Sequence, residues 1–79
     1  MENSEIKRLL WTFSLENSVK FGGKPNGKAV LGKLLGQNTE LRSQVNGIKA
    51  ILDEIVLEIS KLTLQEQKAK LLELNPDAL

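Results

Sequence analysis

Lys20, Lys24, Lys28 and Lys33 are the only charged residues between Asn17 and Lys33. They surround the segment Phe21-Gly22-Gly23-Lys24-Pro25-Asn26 and the residues that follow it. Ammonium groups beside the backbone N–H groups of a helix start form a setting that attracts phosphate oxygens. Phe21 is the only ring in the segment on which a base could stack, so base-specific readout is not indicated. Lys28 and Lys33 are five residues apart, about 140° in helical projection, and cannot share a tight anion pocket. The attraction would be diffuse. The alternative is a solvated face that keeps a short apolar helix soluble.

Other chemistry finds few candidates. The chain has no cysteine and no histidine, which removes disulfides, thiolate metal sites, thiol nucleophiles and the commonest general base. Gly27 and Gly32-Lys33 stand at the interval of a phosphate-binding loop, but Leu34 follows where Ser or Thr is required and no strand precedes. Asp53, Glu54 and Glu58 lie close together along one predicted helix. Without further ligands they read as a solvated face, so no metal site and no cofactor are expected in this chain. Seventy-nine residues allow one domain, residues 1–79, and a complete active site within it is not expected.

The net charge of +1 conceals an asymmetry. Residues 1–33 carry six basic against three acidic side chains, and residues 34–79 carry five against seven. No apolar run approaches the roughly 20 residues that cross a membrane. The start MENSEIKRLL lacks the basic and apolar regions of a secretion signal. The expectation is a soluble intracellular domain that contacts no membrane.

Helices must position the lysines. Ile6, Leu9, Leu10 and Phe13 recur at helical spacing and predict a first helix over about 4–20, capped by Asn3 or Ser4. Trp11 and Leu15 fall off this stripe. Gly22-Gly23 ends the helix and Pro25 turns the chain. Asn26 caps a short helix over about 26–35 that ends at Gly36, and Gly27 and Gly32 read as sites of close helix approach. Asn38 or Thr39 opens a third helix over about 39–61. Its seam of Leu41, Val45, Ile48, Leu52, Ile55, Ile59 and Leu62 steps by four and three residues, and it is expected to be the spine. Thr63-Leu64-Gln65-Glu66 is a capping box that starts a fourth helix over about 64–74, with Ala69 and Leu71 or Leu72 facing inward. The fold class is all-α, a small four-helix bundle.

The stretch from Leu15 to Gly36, LENSVKFGGKPNGKAVLGKLLG, followed by Glu40-Leu41-Arg42, resembles the N-terminal extension of archaeal-type glutamyl-tRNA synthetases. The family pattern VK[YF]GGK followed by AV[LI]GK[VL]LG is long and irregular. Pro25, Gly27 and Thr39 depart from the family's commoner residues, all near turns. HIGH-like and KMSKS-like motifs are absent from the chain. The resemblance therefore implies an excised N-terminal domain without catalytic residues. It assigns glutamate activation, with ATP and Mg²⁺, to the remainder of a cytoplasmic ligase. It implies either assistance in tRNA binding or docking on the catalytic domain, other synthetases or translation proteins. Lys20, Lys24, Lys28 and Lys33 are the candidate nucleic-acid contacts. Exposed apolar residues such as Trp11 and Leu15 are the candidate docking contacts. A stand-alone DNA-binding domain ranks lower, because no helix rich in Arg, Asn or Gln is evident.

Overall fold

The structure, a computed structural model, describes residues 2–78; the two ends of the expected 1–79 domain, Met1 and Leu79, lie outside them. Four α-helices form a bundle: α1 (Asn3–Lys20), α2 (Gly27–Gln37), α3 (Val45–Ser60) and α4 (Leu64–Leu74). A 3₁₀ segment, Thr39–Gln44, joins α2 to α3.

The spine is α1 rather than α3. At 18 residues it is the longest helix, and it packs against α2, α3 and α4. A helix with three neighbours buries more than one stripe. Ile6 and Leu10 are buried as the spacing predicts, but so are Leu15, Ser14 and Ser18, while Leu9 and Phe13 are only half-buried. Leu15, off the main stripe and open to packing on a second helix or to partial exposure, is thus fully buried, which corrects only its reading as an exposed docking contact. The predicted cap is corrected too. Glu2 occupies the cap position without a side-chain hydrogen bond, and Asn3 and Ser4 already belong to the first turn.

The end of α1 follows its residues. Phe21 N–H donates to the Asn17 and Ser18 carbonyls at 3.1 and 3.2 Å, and Gly23 N–H donates to Ser18 O at 2.7 Å. Gly22 and Gly23 take φ of 78° and 95°, which side chains with a Cβ resist. Asn26 caps α2 by accepting from Ala29 N–H at 3.2 Å. The helix continues through Gly36 to Gln37, past its predicted end. Asn38 closes α2 rather than opening α3: its Nδ2 donates to Leu34 O at 3.1 Å.

The third predicted helix divides in two. Residues 39–44 wind as 3₁₀, with Leu41 N–H bonded to Asn38 O at 2.9 Å, and the α-helix begins only at Val45. Leu41 is fully buried and ties the 3₁₀ segment to the core. Ile48, Leu52, Ile55 and Ile59 are buried as the seam predicts, whereas Val45 and Leu62 are half-buried. A Cβ on Gly27 would stand 3.6 Å from Val56 Cγ2 and 3.8 Å from Leu52 Cδ2, so α2 does start close against α3. Gly32 faces open space, contrary to the expectation of close approach there.

The bounds of α4 are those predicted, and its capping box is complete. Glu66 N–H donates to Thr63 Oγ1 at 3.1 Å and Thr63 N–H to Glu66 Oε1 at 2.9 Å. Leu71 faces inward, whereas Leu72 and Ala69 are exposed.

Candidate nucleic-acid interface

The turn between α1 and α2 is held by a buried glutamine from α4. Gln67 Nε2 donates to Gly23 O and Leu62 O, each at 3.1 Å, with a longer contact of 3.4 Å to Ile59 O. Its Oε1 accepts from Ser18 Oγ at 2.5 Å. One side chain thus binds the last turn of α1, the glycine turn and the α3–α4 junction. Gly23 also packs on Leu64, whose Cδ1 stands 3.6 Å from where a glycine Cβ would be. The turn that carries the lysines is therefore fixed from behind.

All four candidate lysines are exposed. The structure brings them together in two pairs rather than one cluster. Lys20 and Lys33 line an open groove of about 460 Å³ between α1 and α2, with Phe13, the acidic Glu16, Asn17, Phe21 and Val30. Lys24 and Lys28 line a second groove of about 530 Å³ with Pro25, Asn26 and Gly27. Phe21 borders both. Lys33 Nζ lies 4.4 Å from the centre of the Phe13 ring, which draws it towards α1. Asn17 Oδ1, in the first groove, is shielded from solvent and has no hydrogen-bond partner.

Residue types alone did not reveal the part of Gln67 or Ser18. Both are polar residues on helices, and their partners are distant in sequence. The available signal was Gln67's place one residue after the capping-box glutamate, on the face that turns towards Leu71.

No three acidic side chains gather into a group able to hold a metal among the described residues. Gly32 and Lys33 lie inside α2, so the glycines at the phosphate-loop interval form no cradle for a nucleotide. None of the helices described is long and apolar enough to cross a membrane.

These features define an all-helical bundle with a braced turn that carries and adjoins four exposed lysines. No family model and no solved structure matches the chain. It is 49% identical over 74 residues to a glutamate–tRNA ligase of Methanococcus maripaludis, covering 94% of this chain and 13% of the ligase. The ligase of Pyrococcus abyssi is 47% identical over 73 residues, again 13% of its length. That of Methanocorpusculum labreanum is 37% identical over all 79 residues, 14% of its length. Over nearly its whole length the chain is similar to a stretch of archaeal glutamate–tRNA ligases, as the counterpart of their N-terminal domain. It spans about one-eighth of the curated relatives it matches.

Proposed function

We propose that the domain assists tRNA binding by a cytoplasmic ligase that attaches glutamate to tRNA with ATP. The observation that carries this reading is the set of four exposed lysines on the braced α1–α2 turn and the helices that flank it. Among the described residues the one ion pair is Lys61–Glu58 at 3.9 Å, so none of the four lysines is ion-paired there, although Glu16 shares the groove of Lys20 and Lys33. Each phosphate contact would release a counterion, so affinity must fall steeply with salt. Titration of the chain with tRNA at two salt concentrations tests this. Lys24→Glu with Lys28→Glu should weaken binding and lower the salt slope by about two. Absence of binding at low salt, or a double variant that binds like the native chain, rejects the reading.

A second reading is docking on the remainder of the ligase. Leu57, 59% exposed, borders a groove with Trp11 and Ile51 between α1 and α3, away from the lysine turn. Leu15 takes no part in it, being fully buried. Leu57→Glu should leave tRNA affinity of the chain intact under both readings and weaken association with the catalytic portion only under the second.

A further inference from the structure

We propose that Phe21 is a stacking platform for an unpaired nucleotide base, a refinement that rests on the RNA-binding reading above. Phe21 is 60% exposed, the most exposed large apolar side chain among the described residues. The other aromatic residues are placed differently. Phe13 and Trp11 are half-buried, and each lies under an ammonium group, at 4.4 Å from Lys33 and 4.8 Å from Lys70. The nearest cation over the Phe21 ring is Lys20 Nζ at 5.8 Å, which leaves the ring the more open.

The ring also stands on fixed backbone. Phe21 N–H is shared between the Asn17 and Ser18 carbonyls, and two residues on, Gly23 is bonded to Ser18 and to Gln67. A ring presented on an ordered turn loses little backbone freedom when something stacks on it.

The lysines complete the arrangement. Phe21 forms the ridge shared by the two grooves, with Lys20, Lys33 and Glu16 on one side and Lys24 and Lys28 on the other. A strand crossing the ridge would keep phosphates near ammonium groups on both sides and set one base against the ring. Duplex RNA cannot do this, because its bases are already stacked. Stacking tolerates any base, so the contact requires no reading of base edges.

The probe is a short single-stranded RNA carrying 2-aminopurine, alone and annealed into a blunt duplex. Binding of the single strand to the native chain should change the 2-aminopurine fluorescence. Phe21→Leu should bind the single strand about tenfold more weakly and lose that change, with an unaltered salt slope and unaltered duplex affinity. Phe21→Trp should restore both affinity and the fluorescence change. The proposal is overturned if Phe21→Leu binds the single strand like the native chain, or if it loses duplex binding equally. If the Lys24/Lys28 double variant weakens binding while Phe21→Leu does not, only the stacking role falls. If neither substitution matters, or the native chain binds no RNA at low salt, the RNA-binding reading falls with it.

Discussion

Ser18 and Gln67, 49 residues apart, share a buried hydrogen bond of 2.5 Å from Ser18 Oγ to Gln67 Oε1. Through the same amide group, Gln67 satisfies the carbonyls of Gly23 and Leu62. Gln67→Leu keeps much of the volume and leaves these groups without a protein partner. An unsatisfied buried polar group costs roughly 1–3 kcal/mol, so a loss of about 3 kcal/mol is expected. That corresponds to a fall in Tm of more than about 10 °C for a domain this size. A Tm within about 2 °C of the native value would show that water replaces the amide.

The capping box at Thr63 is exposed and local. Thr63→Ala should destabilise the chain by about 1 kcal/mol. Glu66→Ala, which removes the reciprocal bond, should act in the same direction by less. The two losses should not add, because each substitution already opens the box. Denaturant melts of the single and double variants measure this directly, and full additivity contradicts it.

Two core leucines report on packing. Leu52 is 2% exposed and Leu15 wholly buried, so Leu52→Ala and Leu15→Ala should each cost about 2–5 kcal/mol. Leu9→Ala, at a half-buried site, should cost markedly less. Equal losses at Leu9 and Leu15 would place the buried face of α1 elsewhere.

Glycines at two positions should respond with opposite sign. Gly23 holds φ at 95°, so Gly23→Ala should destabilise by roughly 1–2 kcal/mol. Gly32 lies within α2 with nothing near its missing Cβ. Gly32→Ala should therefore stabilise by about 0.5–1 kcal/mol through helix propensity. Thermal melts of the two variants should move apart on either side of the native curve.

What could be read from residues alone was local chemistry. Gly22-Gly23 ended α1, Asn26 capped α2, and Thr63 with Glu66 set the start of α4, because each device works within a few residues. The 3₁₀ segment was hidden. Leu41, Val45 and Ile48 keep helical spacing whether or not the backbone between them tightens. The buried serines of α1 were hidden for another reason: their burial depends on neighbours on several sides, and Ser18 finds its partner on the last helix. The exposure of the four lysines was legible, as was the wide projection of Lys28 from Lys33. Their division around Phe21 was not, since it depends on how α2 folds back over α1 and on the pull of Phe13 on Lys33.

The bracing of the glycine turn by Gln67 also sets an order of events at the ribosome. The chain emerges with α1 and the basic turn first, yet the residue that locks the turn follows Ser18 by 49 positions. At typical rates of synthesis this delay is roughly 2–10 s. During that interval α1 lacks the helix that covers one of its sides, and the glycine turn has only its local hydrogen bonds to Asn17 and Ser18. The basic turn, encoded near the start of the domain, therefore gains its bracing only when α4 arrives.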